Sequence, residues 1–164
     1  MAAKSHYLQI RISLQEKALI RRLAERAGQD VSSYVRSRAL PLHEREFHEI
    51  LRSLADQGEG QSFVLAELND FLCGLAPLQF SSAVQRGDVA DLSSLLQNYV
   101  SAMVEQAARR NDVPAPSWTS RVPPLERPYF AVPFTSLRPH LLKSAPVPFK
   151  RRNIFVDSAV GDRV

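Results

Sequence analysis

The stretch HYLQIRISLQEKALIRRLAERAGQDVSSYVRSRAL, residues 6–40, decides the fold, because the spacing of its apolar residues changes once along its length. Residues 7–13 alternate between polar and apolar side chains, which predicts a strand with one apolar face formed by Leu8, Ile10 and Ile12. After this strand the apolar spacing becomes that of an amphipathic helix. The change predicts one short strand followed by helical structure.

Two helices are predicted after the strand. The first carries its apolar side chains on one side, at Ala18, Leu19, Leu23 and Ala27. Gly28 supplies the left-handed residue at which a helix ends, and Asp30 is placed to cap a second helix. The inner face of that second helix should hold Val31, Tyr34, Val35 and Leu40. Pro41 is expected to shorten or kink it and to direct the chain into a further helix from Leu42 to Asp56.

A lone strand leaves its backbone donors and acceptors unpaired, so the strand predicted at residues 7–13 needs a second copy of the chain. Antiparallel pairing of two copies would bury the apolar face on the helices and expose Tyr7, Gln9 and Arg11 from each chain. Such a two-stranded ribbon is narrow enough to enter the DNA major groove. The alternative is an ordinary surface strand of a monomeric α+β domain.

This order of strand, helix, glycine-containing turn and second helix resembles the ribbon-helix-helix repressors over roughly residues 5–40. The resemblance implies a homodimer that binds double-stranded operator DNA. In that family the strand residues that face outward read base edges. The residues at these positions of this sequence are Tyr7, Gln9 and Arg11. The start of the second helix holds a phosphate through backbone amides, which by position are those of Val31, Ser32 and Ser33. The chemistry agrees independently, since glutamine can bond adenine, arginine can bond guanine, and a helix N-terminus is an anion site.

Charge divides the chain into three segments. Residues 1–52 have a net charge of +4, residues 53–113 of −5 and residues 114–164 of +5. The basic first segment suits contact with DNA phosphates, whereas the acidic middle would be repelled by DNA. A basic stripe on the first helix is expected to be solvated rather than to contact bases, at Lys17, Arg21, Arg22 and Arg26.

The middle of the chain is predicted to be helical. Apolar residues recur at spacings of three and four from Ser62 to Leu75 and from Val89 to Arg110, which predicts two amphipathic helices that pack on one another. Pro114 prevents the second helix from continuing. A glycine-containing connector at residues 57–61 precedes both helices. The single cysteine, Cys73, is expected to be a buried core residue rather than a reactive nucleophile.

Proline is concentrated at the C-terminal end, where nine of the eleven prolines follow residue 113. Proline removes a backbone donor and clashes with the preceding turn, so only short helices and extended segments fit there. The same stretch is rich in aromatic and aliphatic residues, which argues against disorder. It favours an extended apolar segment that packs over another surface.

The expected fold class is therefore mainly α. A ribbon-helix-helix unit of one strand plus two helices, dimeric through the strand, precedes a helical middle and a Pro-rich tail of short helices and extended segments. The predicted domains are residues 1–56 for DNA binding and dimerisation, 57–113 for the helical middle and 114–164 for a partner-binding tail. No apolar stretch approaches the roughly 20 residues needed to span a bilayer, and the polar start MAAKSHY lacks a signal peptide's apolar region. A cytoplasmic location without membrane contact is expected.

The tail resembles the C-terminal segment of antitoxins encoded beside nucleotidyltransferase toxins, through Trp118, the run Pro128-Tyr129-Phe130 and the run from Pro146 to Val156. The resemblance implies a type II antitoxin that neutralises a cognate toxin and represses its own operon. The implied toxin-binding residues are Trp118, Tyr129, Phe130, Phe149, Lys150, Arg151, Arg152, Asn153 and Phe155. The alternative is that the same basic residues fold back onto the chain's own acidic middle.

Two functions fit these patterns. One is the antitoxin that also represses transcription, and the other is a stand-alone ribbon-helix-helix regulator of the plasmid partition or conjugation type, without a toxin partner. An enzyme is not expected, because the sequence has no phosphate loop, no nucleophile elbow and no paired carboxylates with a plausible histidine partner. The four histidines lack metal-ligand spacing as a set, so no metal or other cofactor is expected.

Overall fold

The computed structural model describes residues 9–39, 42–56 and 60–157 of the 164-residue chain. The chain divides into two compact units, Met1–Leu40 and Pro41–Val164. This division differs from the predicted domains at residues 1–56, 57–113 and 114–164. The third helix belongs with the second unit, and the middle and tail form one unit because they share a core.

The first unit contains two helices, α1 (Leu14–Arg26) and α2 (Val31–Ala39), which pack against one another. The turn between them forms as predicted, because Gly28 adopts the left-handed conformation with a φ of +62°. The amide of Gln29 then donates back to the carbonyl of Ala24 at 3.0 Å, which satisfies one of the carbonyls that a helix end leaves free. The backbone conformation of Gly28 and one local hydrogen bond thus account for the end of α1.

The second unit is mainly helical, and its tail consists of short elements as predicted. Its described helices are α3 (Leu42–Asp56), α4 (Gln61–Gly74), α5 (Pro77–Ala83), α6 (Ser94–Arg110), α7 (Arg138–Ser144) and α8 (Val147–Lys150). Single 3-10 turns lie at Thr119–Arg121 and Thr135–Leu137. Strands β1 (Tyr129–Phe130) and β2 (Ile154–Phe155) pair in parallel, with Tyr129 opposite Ile154. No helix of the described residues is long and apolar enough to cross a membrane.

The middle and the tail bury their apolar side chains in one core. Helix α3 packs against α4 and α5, α4 packs against α6 as predicted, and α6 packs against α8. The largest fully buried apolar side chains come from α3 and from both of these regions: Phe47, Leu54, Leu68, Leu72, Phe80, Val84, Val100, Val104, Phe149, Ile154 and Val156. The tail is therefore an integral part of the second unit.

Helix α6 begins later than predicted. The periodicity starts at Val89, but the helix starts at Ser94, because the hydroxyl of Ser93 caps it by accepting from the amide of Leu96 at 3.4 Å. Val89 is nevertheless buried, in the turn that precedes the helix. An apolar residue in a buried turn therefore extended the helical pattern beyond the helix.

Two side chains of α4 lie off its buried face. Val64, Leu68 and Leu72 are buried at a spacing of four residues. Phe63 and Cys73 are each one residue from this row, which rotates them about 100° around the helix axis. Phe63 is consequently 80 % exposed, and Cys73 is half-buried rather than fully buried as predicted.

Candidate nucleic-acid interface

Helix α1 begins with a capping box that was not predicted. The hydroxyl of Ser13 accepts from the amide of Glu16 at 3.2 Å, and the carboxylate of Glu16 accepts from the amide of Ser13 at 2.7 Å. The hydrogen bonds from Ser13, the amide first and then the hydroxyl, hold the pKa of Glu16 below its ordinary value. The spacing Ser-x-x-Glu in the sequence is the signal for this cap. It defines where the helix begins after residues 9–13.

The described part of the predicted strand is exposed in the single chain. Gln9 and Arg11, which are predicted to read bases, are both exposed. Ile10 and Ile12 are also 59 % and 45 % exposed, although the sequence predicts that they are buried against the helices. Residues 9–13 form no strand pairing within the described part of one chain, and Tyr7 lies outside it. The ribbon, which requires two chains, stays a prediction.

Asp30 caps α2 as predicted, and this affects the predicted phosphate site. Its carboxylate accepts from the amide of Ser33 at 3.0 Å. Hydrogen bonds from Ser33, the hydroxyl first and then the amide, lower the pKa of Asp30, so the cap is ionised at neutral pH. The amide of Ser33 is therefore already bonded, whereas Val31 and Ser32 are exposed at the first turn. A phosphate at this position would meet two amides beside a carboxylate.

The surface of the first unit is basic. Residues 9–39 contain seven Lys or Arg residues and three Asp or Glu residues. The stripe predicted to be solvated on α1 is exposed, at Lys17, Arg21, Arg22 and Arg26. On α2, Arg36 donates to the hydroxyl of Ser33 at 3.1 Å, and the guanidinium of Arg38 lies 5.6 Å from the ring centre of Tyr34. These positive charges can attract DNA phosphates without reading sequence.

The predicted toxin-binding residues of the tail do not share one exposed surface. Four are buried in the second unit: Trp118, Phe149, Arg152 and Phe155. Five are half-buried or exposed: Tyr129, Phe130, Lys150, Arg151 and Asn153. Trp118 and Phe149 pack in the core shared with the middle, whereas Phe155 packs against other residues of the tail. Of the three basic residues in the predicted fold-back, Arg152 pairs with an acidic residue of the middle. Contact of these residues with a toxin stays a prediction.

The fold-back is held by a buried arginine and a buried tryptophan. The guanidinium of Arg152 donates to the carboxylate of Glu105 on α6 at 2.5 Å, so a basic tail residue neutralises an acidic residue of the middle. The indole N–H of Trp118 donates to the carbonyl of Val84 at 2.9 Å. Both contacts join residues that are distant in the sequence, which is why no local pattern predicted them.

A comparison with protein families matches the N-terminal part of the chain, which contains the first unit and α3 of the second. A family model described as NikA-like, mobilization protein NikA, matches residues 2–59. The match supports the ribbon-helix-helix head predicted from the sequence. The match ends before α4 and does not extend to the tail. No curated protein or solved structure matches the chain. The N-terminal third of the chain is thus similar to a mobilization protein.

Proposed function

We propose that this chain is a dimeric DNA-binding protein of the conjugation type, which binds a specific double-stranded site during mobilization of the DNA that carries it. The observation that carries the proposal is the NikA-like match over residues 2–59, a stretch that includes both helices of the first unit. This function corresponds to the stand-alone regulator predicted from the sequence, and it takes precedence over the antitoxin.

Exposed apolar side chains support dimerisation through the first unit. In the single chain Ile10, Ile12, Leu14 and Leu19 are between 45 % and 87 % exposed. Several exposed aliphatic side chains so close together in the sequence are typical of surfaces that a partner covers. Pairing of residues 7–13 with the same residues of a second copy would cover Ile10 and Ile12 and would pair the backbone groups of both strands.

The paired strands would present Tyr7, Gln9 and Arg11 of each chain to the major groove. Arginine bonds guanine through two acceptors, and glutamine bonds adenine through one donor and one acceptor, so Gln9 and Arg11 supply sequence discrimination. The amides of Val31 and Ser32 would hold a flanking phosphate and set the position of the ribbon. The ionised Asp30 beside them limits the affinity of that contact.

Fluorescence anisotropy with the full chain tests the proposal. Labelled duplexes tiling the transfer origin and the promoter of the gene are compared with duplexes of scrambled sequence. We expect one duplex to bind at least roughly 10³-fold more tightly than the scrambled ones. We also expect light scattering to show a dimer. Binding without discrimination among the duplexes, or a monomer at the concentrations that bind, would contradict the proposal.

A matched pair of arginine variants separates base reading from general attraction. Arg11→Ala should weaken binding to the specific duplex by about 1–3 kcal/mol and relax its sequence preference. Arg22→Ala, in the exposed stripe of α1, should weaken binding to the specific duplex and to the scrambled duplexes to the same small extent. Equal behaviour of the two variants would remove Arg11 from the base-reading surface.

The antitoxin is a second candidate, favoured only by the resemblance of the tail. Its remaining accessible contacts would include Tyr129 and Arg151, which are exposed. Co-expression with the adjacent reading frame tests it through a pull-down and a growth assay. Rescue of growth by this chain would support the antitoxin, whereas a harmless neighbour that does not bind would exclude it for that gene pair.

A further inference from the structure

A cavity of about 420 Å³ opens on the second unit. Its walls come from the C-terminal half of α6, from residues 113–124 and from the end of α8. Its size falls within the range of small-molecule sites, roughly 300–1,000 Å³. The cavity lies outside residues 2–59 and takes no part in the DNA-binding surface proposed above.

Basic residues outnumber acidic ones in the walls of this cavity. Arg109, Arg151 and Arg152 line it together with one carboxylate, that of Glu105. Glu105 is already paired with Arg152. Among the described residues no carboxylate lies within ion-pair distance of Arg109 or Arg151, and both are exposed. Two positive charges therefore remain uncompensated at the cavity.

Arg152 also lines the cavity, and hydrogen bonds hold its buried side chain in place. Its Nη1 and Nη2 atoms donate to side chains and carbonyls of the second unit. Its Nε is buried and has no hydrogen-bond partner among the described residues. A buried donor of this kind is uncommon in folded proteins and adds to the positive potential of the cavity.

We propose that this cavity binds the phosphate monoester of a nucleotide or of a DNA strand end, held by Arg109 and Arg151. The planar guanidinium group donates two parallel hydrogen bonds to phosphate oxygens, which suits both side chains to this role. A phosphate monoester carries close to two negative charges at neutral pH and so matches the two uncompensated arginines, whereas a carboxylate or an internal phosphodiester carries one. Apolar walls at Ala108, Val113 and Val122 leave room for the uncharged part of the ligand.

Isothermal titration of the full chain in phosphate-free buffer tests this site. The probes are inorganic phosphate, thymidine 5′-monophosphate, thymidine, and one short single-stranded oligonucleotide with and without a 5′-phosphate. We expect saturable binding of each phosphate-bearing probe, no binding of thymidine, and tighter binding of the oligonucleotide when it is phosphorylated. A phosphorylated oligonucleotide that binds more tightly than the mononucleotide assigns the site to strand ends, and equal affinity assigns it to free nucleotides.

Arginine variants locate the binding. Arg109→Gln and Arg151→Gln should each lower the affinity for the mononucleotide roughly tenfold to hundredfold, because each substitution removes a charged hydrogen-bond donor. Arg127→Gln is the matched control, since Arg127 is exposed on the same unit but does not line the cavity. Trp118 is buried, and its sequence neighbours Ser117 and Thr119 line the cavity, so its fluorescence checks that each variant is folded. No saturable binding to the wild-type chain, or an equal loss in Arg127→Gln, would overturn the proposal.

Discussion

Replacement of Arg152 by alanine should destabilise the second unit strongly, because this side chain joins three parts of the fold. Arg152 is 5 % exposed. Its guanidinium donates to Glu105 at 2.5 Å, to Asn98 at 3.2 Å and to the carbonyl of Thr119 at 2.7 Å. A further, longer bond reaches the carbonyl of Val122 at 3.4 Å. Alanine would leave all four acceptors without this donor.

The size of the effect follows from burial. Removal of one partner of a buried ion pair costs about 3–5 kcal/mol, because the remaining charge stays buried without compensation. The side chain of Glu105 is 18 % exposed, so water can reach part of it and the lower end of this range applies. With a urea m-value of about 2 kcal/mol/M, a loss of about 3 kcal/mol lowers the unfolding midpoint by roughly 1.5 M.

Urea unfolding followed by tryptophan fluorescence measures this loss in the full chain. Trp118 is the single tryptophan and is buried in the second unit, so the signal reports that unit alone. Arg151→Ala is the matched control, because Arg151 is the adjacent residue and is exposed. Its effect should stay within about 0.5 kcal/mol. If Arg152→Ala does not fold, Glu105→Gln gives a milder test that keeps the arginine.

Two results would refute the reasoning. One is an Arg152→Ala variant whose midpoint equals that of Arg151→Ala. The other is a Glu105→Gln variant as stable as the wild-type chain, since the ion pair would then contribute nothing. The first result would mean that Arg152 contributes nothing to the stability of the second unit, and the second that its ion pair with Glu105 contributes nothing beyond its other hydrogen bonds.

Three further predictions concern other contacts. Gly87→Ala should cost about 1–3 kcal/mol in urea unfolding, because an added Cβ would lie 2.4 Å from the buried ring of Trp118. Asp30→Asn should tighten binding to the specific duplex about threefold at low salt, because asparagine still caps α2 while a negative charge about 5 Å from a phosphate is removed; unchanged affinity would separate this helix end from DNA. Burial, reinforced by the charge of Tyr129, raises the pKa of Tyr99, so the stability of the neutral phenol is fully present below about pH 10 and is lost as the pH rises through the raised pKa. Tyr99→Phe should reduce the fall in the urea midpoint that the wild-type chain shows above about pH 10, and an equal fall in both chains would contradict this role of Tyr99.

The helices of the first unit were predictable because their ends depend on neighbouring residues. Gly28 has a left-handed backbone, and Asp30 bonds the amide three residues later. The capping box of Ser13 and Glu16 follows the same kind of rule, so its spacing could also have been found in the sequence. The residues predicted to read bases belong to a predicted strand that would need a second chain. Their role therefore depends on contacts that one chain does not contain.

The tail was predictable only in part. Its prolines predicted short helices and extended segments, and these are present as α7, α8, β1 and β2. Its partners were not predictable, because the buried bond from Trp118 reaches 34 residues back and the ion pair of Arg152 reaches 47 residues back. Charge counts left two outcomes open, a toxin or the chain's own middle.

By itself the sequence determined the helical character of this protein, the turn at Gly28, the cap at Asp30 and the short elements of the tail. Each of these depends on the backbone preferences and hydrogen bonds of residues within about four positions of one another. Only the tertiary structure decided that the chain divides after residue 40, that the tail completes the core of the middle, and that Arg109 and Arg151 face one cavity. These features depend on which distant side chains fill the same space, and close packing of a core is a property of the whole unit rather than of any local pattern.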